Sequence, residues 1–255
     1  MLRATMTRFH LAVIGAVLLG LLTWAMGSIA LLVVVVAAFF VVTGLGVAFP
    51  QMRFFGPFVC RGVGSRQCVA LTFDDGPDVA ATPSLLDLLQ EARVEAAFFC
   101  LGKRVAAHPE LAARIVGEGH LLENHSYAHS RATNFFTVTR LKAELTQAQT
   151  AIQQVTGIAP RLFRPPMGLS NPRVFRAAHA LGLTVVGWTA RGLDTRITDP
   201  PRIVRRIVRH LQPGAIILLH DGGIPADRLV ATVKLLLDTL RQRGYEIVRL
   251  DRMLT

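Results

Sequence analysis

Two adjacent carboxylates directly follow an apolar segment of this 255-residue chain. The run Cys68 to Phe73 is typical of a short buried strand, and Asp74 and Asp75 lie between it and the chain-breaking pair Gly76-Pro77. Two neighbouring carboxylates repel each other unless a positive charge lies beside them, and a bound cation is the simplest such charge. The alternative is a helix-capping Asp next to a turn Asp-Gly, so the pair alone leaves both interpretations open.

Two histidines lie four residues apart in the segment His125-Ser-Tyr-Ala-His129. On a helical turn this spacing places both imidazoles on one side, where they can bind one metal ion. With a carboxylate from another strand end, they complete a set of two histidines and one carboxylate. Such a set leaves coordination positions free for water and substrate.

A third polar segment, Arg164-Pro-Pro-Met-Gly168, follows another short strand. Its two prolines fix the backbone, so the N–H of Met167 is held rigidly, as the stabilisation of an oxyanion requires. The alternative is an ordinary loop with an exposed arginine.

His220 ends the apolar run Ala215 to Leu219. A histidine at the end of a buried strand with apolar neighbours is often a hydrogen-bonded core residue. Its place at the strand end makes acid or base catalysis an equal alternative.

Strands alternate with helices along the chain after residue 67, which is typical of parallel βαβ units in an α/β fold. The predicted strands are 68–73, 96–100, 120–124, 161–163, 183–188, 215–219 and 245–250, and the predicted helices are 83–92, 109–118, 141–155, 172–181, one that begins at Asp199 and Pro200, and 227–243. The polar residues that follow these strands are Asp74, Asp75, His125, Arg164, Asp194 and His220. In a barrel such strand ends converge on one opening, whereas in an open sheet they lie along a line.

The first 50 residues differ from the rest in charge. Their only charged residues are Arg3 and Arg8, while the other 205 residues carry 26 Lys and Arg against 17 Asp and Glu. Two apolar stretches, Phe9 to Met26 and Ile29 to Phe49, are each long enough to cross a bilayer, which takes about 20 residues. We expect a transmembrane hairpin at 1–50, a juxtamembrane connection at 51–66 and a basic domain at 67–255.

Two alternatives to the hairpin stay open. A cleaved signal peptide has a shorter apolar segment, of about 7 to 15 residues, and one long span could begin near residue 29 behind an interfacial segment. Arginines flank the hairpin on both sides, at Arg3, Arg8, Arg53, Arg61 and Arg66. By the positive-inside rule they favour a hairpin whose two ends face the cytoplasm.

The three cysteines, Cys60, Cys68 and Cys100, predict no disulfide framework. The first two could pair only in an oxidising compartment, and their spacing matches no zinc-ribbon pattern. Cys100 lies in an apolar run, which is typical of a buried thiol.

Four motifs in one order carry a resemblance to a known family: Thr72-Phe-Asp-Asp-Gly76, His125-Ser-Tyr-Ala-His129, Arg164-Pro-Pro-Met-Gly168 and Leu218-Leu-His220. Together they resemble the polysaccharide deacetylases of the NodB homology domain, carbohydrate esterase family 4, over roughly residues 67 to 250. The resemblance implies a distorted (β/α) barrel of about seven strands. It also implies an enzyme that removes N-acyl or O-acyl groups from sugars with a divalent metal ion.

The resemblance further implies roles for individual residues. Asp74 would be the general base, oriented by Arg164, and His220 the general acid. The implied metal ligands are Asp75, His125 and His129, and the implied substrate or oxyanion contacts are Met167, Gly168 and Leu218. Zinc is the expected metal, with cobalt, nickel, manganese or iron as alternatives.

Two positions depart from the family's pattern. Met167 stands where an aromatic residue is common, which alters the shape of the sugar cleft but not a backbone donor. Arg191 replaces the acid that normally orients the catalytic histidine, and we expect Asp194 to take that place beside His220. With fewer aromatic platforms for sugar rings, a long glycan is a less suitable substrate.

The sequence thus predicts a membrane-anchored, metal-dependent N-deacetylase of a sugar in the bacterial inner membrane, with its domain at the cytoplasmic face. The helix after Asp199 is basic and amphipathic, and its arginines face either solvent or anionic groups such as a polyprenyl phosphate. The second alternative, together with the membrane anchor, favours a lipid-linked sugar as the substrate. Alternatives are an extracytoplasmic deacetylase of peptidoglycan or exopolysaccharide, a deformylase or O-deacetylase, and an inactive sugar-binding protein. No nucleic-acid motif accompanies the net charge of +11, so nucleic acid is not an expected partner.

Overall fold

Two apolar helices precede the α/β domain in the computed structural model, which describes residues 6–63 and 67–254. Helix α1 spans Arg8–Ala25 and α2 spans Ile29–Ala48, and the two helices pack against each other. Each is long and apolar enough to cross a membrane, and most of their side chains are exposed. Arg3 and Arg66, two of the predicted flanking arginines, lie outside the described residues.

The amino end of α1 lies beside the chain that leaves α2. Arg8 Nη1 donates to the carbonyl of Met52 at 2.7 Å, and the N–H of Phe9 donates to the carbonyl of Phe54 at 2.9 Å. The ring of Phe9 also packs against Phe54 and Phe55, with centroid distances of 5.9 and 5.2 Å. The amino end of α1 and the carboxyl end of α2 therefore both lie next to the α/β domain.

A curled parallel sheet forms the centre of the domain. Its strands are β1 (Cys68–Asp74), β2 (Ala97–Cys100), β3 (Leu121–Asn124), β4 (Leu162–Phe163), β5 (Thr184–Val185), β6 (Ala190–Arg191), β7 (Ala215–His220) and β8 (Glu246–Ile247). They follow the order β5-β4-β3-β2-β1-β7-β6, β8 pairs with the amino end of β1, and all these pairings are parallel. All seven residues of β1 are buried, as a central parallel strand requires.

Helices cover the outer face of this sheet. They are α3 (Thr82–Ala92), α4 (Gly102–Ala107), α5 (Pro109–Gly117), α6 (Val138–Thr156), α7 (Pro172–Ala180), α8 (Pro200–Val208), α9 (Ala226–Gln242) and α10 (Leu250–Leu254). Leu85 of α3 and Leu236 of α9 pack in one apolar cluster with Leu71 and Phe73 of β1. Each fully buried leucine contributes about 2 kcal/mol through the loss of apolar surface to water, so this layer fixes β1 and the carboxylates that follow it.

Helix α8 has the basic amphipathic character that its sequence predicts. The Asp199 carboxylate caps it by accepting the N–H of Arg202 at 2.9 Å, and Pro200 occupies its first turn. Its buried residues are Ile203, Val204 and Ile207, and its exposed arginines include Arg202 and Arg205. The apolar side holds the helix on the domain and leaves Arg202 and Arg205 exposed to solvent.

Residues 58–62 fill the gap between the two edges of the curled sheet. Val59 pairs in parallel with Val186, just after β5, and Arg61 pairs in antiparallel with Ala215 of β7. Phe58 is 3% exposed and packs in an apolar cluster with Val185. This part of the predicted juxtamembrane connection is therefore a structural part of the barrel wall.

The predicted elements and the observed ones differ at the short strands. The predicted strand 183–188 is broken, because Val186 pairs with Val59 outside the sheet and Trp188 turns away before β6 begins. The predicted strand 245–250 ends at Ile247, and α10 follows it. Strands of two residues carry no periodicity that a sequence pattern can reveal, which explains why β6 was not predicted.

We expect Phe58→Ala to lower the free energy of unfolding by about 3 kcal/mol or more, because it empties a packed aromatic site. Phe135→Ala removes a ring that is 80% exposed and should change that energy by less than about 0.5 kcal/mol. Denaturant titration of the full chain measures both values. If Phe58→Ala changed the free energy of unfolding as little as Phe135→Ala does, residues 58–62 would not belong to the cooperatively folded domain.

Candidate active site

The carboxyl ends of the strands surround one cavity of about 350 Å³. Ten candidate site residues were singled out in the sequence, and nine of them line this cavity. They are Asp74, Asp75, His125, His129, Met167, Gly168, Asp194, Leu218 and His220. The tenth, Arg164, is completely buried behind Asp74. The strand ends thus converge on one opening, as they do in a barrel.

Arg164 connects several strand ends through its guanidinium group. Nη1 donates to Asp74 Oδ1 at 2.6 Å and to Thr72 Oγ1 at 2.9 Å, and Nη2 donates to the carbonyl of Gly187 at 3.0 Å. The group also lies over the ring of Phe99, 4.1 Å from its centroid. A buried arginine requires a matching charge, so this contact holds the Asp74 carboxylate in one orientation.

Asp75, His125 and His129 form a group that fits a divalent metal ion. Asp75 Oδ1 lies 3.4 Å from Nε2 of each histidine, and the three donor atoms lie within 4.8 Å of one another. This oxygen is buried and makes no hydrogen bond of ordinary geometry within the described residues. His125 Nδ1 lies 2.8 Å from the carbonyl of Arg164, which assigns the ring proton to Nδ1 and leaves Nε2 free as a ligand.

The pKa values of Asp75 and His129 are shifted in the directions that favour metal binding. Burial raises the pKa of Asp75, but contact with His125 and the charges of His125, His129 and His220 outweigh burial and hold that pKa below its usual range. Burial and the neighbouring His125 lower the pKa of His129. A carboxylate with neutral imidazoles is the form in which these side chains bind metal ions.

The segment 125–129 forms a loop, not a helical turn. Asn124 Oδ1 accepts the N–H of Ser126 at 2.8 Å, and Ser126 Oγ accepts the N–H of His129 at 3.2 Å. These side-chain bonds replace the helical ones, and Ser126 and His129 take positive φ values of 68° and 52°. The loop still brings both imidazoles to one carboxylate oxygen.

Positive φ is unusual for residues other than glycine, and it recurs around the cavity. The residues concerned are Asp75 (φ 72°), Ser126, His129, Met167 (58°) and Leu193 (58°). Such backbone strain is typical of functional sites, where the surrounding structure holds the strained residues in place.

His220 and Asp194 make two contacts with each other. The ring Nδ1 of His220 lies 3.1 Å from Asp194 Oδ1, and the backbone N–H of His220 donates to Asp194 Oδ2 at 2.8 Å. Burial lowers the pKa of His220, but the hydrogen bond and charge of Asp194, with the charges of Asp74 and Asp75, raise it to about 9. The imidazole is therefore held in one orientation and carries a proton at neutral pH.

Sequence reasoning did not assign Trp188 to the site, and the structure places it in the cavity wall. Gly168, whose φ is 67°, lies against it so closely that a Cβ there would be 2.1 Å from the indole ring. The expectation that aromatic platforms are lost is therefore incomplete, because one indole borders the cavity. Trp188 stands at the end of the predicted strand 183–188, so the rule that identified the other strand-end residues also applies to it.

Asp221 is a second residue that sequence reasoning missed. It is completely buried, its Oδ2 accepts the hydroxyl of Thr82 at 2.6 Å, and burial raises its pKa to about 7. A Cβ at Gly76 would lie 2.2 Å from Asp221, and one at Gly222 would lie 2.4 Å from the carbonyl of Asp75. Asp221 and the two glycines therefore shape the turn that presents Asp75.

Comparison with known proteins agrees with this geometry. Residues 61–186 match the family model described as polysaccharide deacetylase. A peptidoglycan-N-acetylglucosamine deacetylase of Bacillus cereus is 34% identical over 192 residues, which cover 74% of this chain and 89% of that protein. A chitooligosaccharide deacetylase of a Bradyrhizobium species is 35% identical over 203 residues, which cover 75% of this chain and 92% of that protein.

The fold agrees as well. A solved structure of a carbohydrate esterase family 4 pseudoenzyme from Bacillus anthracis matches with a TM-score of 0.72 at 25% identity, covering 78% of this chain and 69% of that one. The expected distorted barrel is thereby confirmed. Together these matches show that the chain belongs to the polysaccharide deacetylase family, carbohydrate esterase family 4, whose deacetylases are hydrolases of N-acetylated sugars.

Proposed function

We propose that this chain is a metal-dependent deacetylase that removes an N-acyl group from a sugar. One observation carries the proposal: His125 Nε2 lies 3.4 Å from Asp75 Oδ1 and 3.9 Å from Asp74 Oδ2. A group that fits a metal ion and a carboxylate suited to act as a base therefore share one cavity, which His220 also lines. Asp75, His125 and His129 would hold the ion, with zinc as the expected metal.

Each residue contributes a separate part of amide hydrolysis. A bound metal ion would supply Lewis acidity, which polarises the amide carbonyl and makes a water molecule more acidic. Asp74, held by Arg164, accepts the proton of that water as the water oxygen adds to the carbonyl carbon. The backbone N–H of Met167 is the proposed donor to the resulting oxyanion, with Gly168 and Leu218 shaping the wall around it.

His220 completes the reaction. An amine is a poor leaving group unless it is protonated, and a charged imidazole beside Asp194 has a proton to donate. Proton transfer to the nitrogen allows the carbon–nitrogen bond to break, which releases the free amino sugar and the carboxylic acid. Asp194 keeps the ring in the orientation and charge state that this step requires.

We further propose that α1 and α2 anchor the protein in the membrane and that the substrate is a lipid-linked sugar. The exposed apolar side chains of both helices and the arginines of α8 support this proposal. A wall polymer is the second candidate, because the Bacillus cereus relative is named as a peptidoglycan deacetylase.

Asp74→Asn is expected to retain the metal and to lower kcat by about 10²- to 10⁴-fold, because an amide cannot accept the water's proton. His125→Ala should lose both the metal and the activity. Metal analysis of the purified protein and amine release from an N-acetylated chitooligosaccharide measure the two properties. His179→Ala, at an exposed position on α7, is the matched control and should change neither. Full turnover by a metal-free His125→Ala protein would contradict the proposed ligand set.

Asp194→Asn is expected to move the alkaline limb of the pH profile of kcat/KM to lower pH. Activity falls as pH rises through the pKa of the general acid, His220. Because the carboxylate of Asp194 raises the pKa of His220, removal of this carboxylate lowers the pH at which activity falls. Assays from about pH 6 to about pH 11 measure the shift. Asp227→Asn neutralises an exposed carboxylate on α9 and should leave the profile in place. An unchanged limb in Asp194→Asn would remove His220 from the role of acid.

We propose that both ends of the hairpin, with the catalytic domain, lie on the cytoplasmic face, as Arg8 and Arg53 favour. A membrane-impermeant thiol reagent should then label Thr195→Cys only after permeabilisation, and Ser28→Cys, in the turn between the helices, in intact cells. The native thiols give little background, because Cys60, Cys68 and Cys100 are all buried. Labelling of Thr195→Cys in intact cells would reverse the orientation and favour a wall polymer.

A further inference from the structure

A second cavity, of about 320 Å³, lies between the end of α2 and the active site. One side of it is apolar and is formed by Ala48, Phe49 and Pro50, where α2 ends. The other side carries the cations Arg191 and Arg206. Within the part of the chain that the structure describes, no carboxylate lines this cavity.

The positive charge in this cavity has no negative counterpart. Arg206 Nε is buried and has no hydrogen-bond partner among the described residues. Burial lowers the pKa of Arg191, and the positive charges of Arg206 and Arg196 lower it further. Both arginines are partly buried, and their guanidinium groups repel each other with no carboxylate in the cavity, so the arrangement favours an anion that would lie between them.

The second cavity borders the active site directly. Trp188 and Arg191 line both cavities, so the two cavities share this wall. Gln51 Nε2 donates to the carbonyl of Trp188 at 2.8 Å, which fastens the chain after α2 to this shared wall. The anion site is therefore adjacent to the site of the sugar.

We propose that this cavity binds the phosphate group of a polyprenyl-type lipid carrier, while the sugar that the carrier bears occupies the metal site. The apolar side at the end of α2 suits the start of the lipid chain, and Arg191 and Arg206 suit the phosphate. This inference rests on the proposed lipid-linked substrate and adds the residues that recognise the carrier.

The test measures binding of three probes to the full chain in neutral detergent micelles by calorimetry. Farnesyl phosphate carries the lipid and the phosphate, farnesol carries the lipid alone, and inorganic phosphate carries the anion alone. We expect farnesyl phosphate to bind at least about tenfold more tightly than either of the others. Arg206→Gln should weaken its binding by about tenfold or more, because it removes a charge-assisted hydrogen bond.

Arg205→Gln is the matched control, because it removes the same charge from an exposed position on the same helix, outside this cavity. It should change the binding of farnesyl phosphate by less than about twofold. Equal losses in the two variants would show general attraction to a basic surface and would overturn the proposal. Equal affinity for farnesyl phosphate and farnesol would also overturn it, as would equal affinity for farnesyl phosphate and inorganic phosphate.

Two further measurements keep the outcome clear. Arg206→Lys keeps the charge and should bind farnesyl phosphate more tightly than Arg206→Gln, which checks the site even if the glutamine variant folds poorly. Amine release from a neutral chitooligosaccharide by the unaltered protein tests the deacetylase activity separately. Failure of that assay would contradict the proposed reaction, whereas failure of phosphate binding would contradict only the carrier site.

Discussion

The ion pair between Arg164 and Asp74 is the interaction on which the geometry of the site depends. The guanidinium group of Arg164 lies inside the curled sheet. It joins Asp74, at the end of β1, to the carbonyl of Gly187, in the segment after β5. The backbone of the same residue accepts the ring N–H of His125. One buried residue therefore fixes both the proposed base and a proposed metal ligand. A relative movement of these strands would leave a charge unpaired in the interior, which makes such movement unfavourable.

The main elements and most residues of the cavity were predictable, because the polar groups concerned follow apolar runs long enough to reveal a strand. Asp74, His125 and His220 are of this kind, and their strand ends meet at one cavity. The conformation of the loop at His129 was not predictable, since it depends on side-chain bonds from Asn124 and Ser126. The role of Val59 in the barrel wall depends on pairing with Val186, which lies far away in the sequence.

The contact between Asp194 and His220 is the one that the sequence led us to expect. An arginine at position 191 leaves no acid there, yet the carboxylate at position 194 contacts both the ring and the backbone N–H of His220. Similarity of fold alone does not settle activity in this family, since a matching structure is described as a pseudoenzyme. The side chains of the cavity must carry the distinction, and in this chain Asp74 contacts Arg164 and His220 contacts Asp194.

The burial of all three cysteines as free thiols has a consequence for their chemical reactivity. Burial raises the pKa of Cys60 to about 11 and that of Cys100 well above its ordinary value, so the reactive thiolate is scarce at either thiol. The described fold is held by packing and hydrogen bonds, without a cross-link between these sulfurs. Oxidants and alkylating reagents are therefore expected to react slowly with Cys60 and Cys100 in the folded domain.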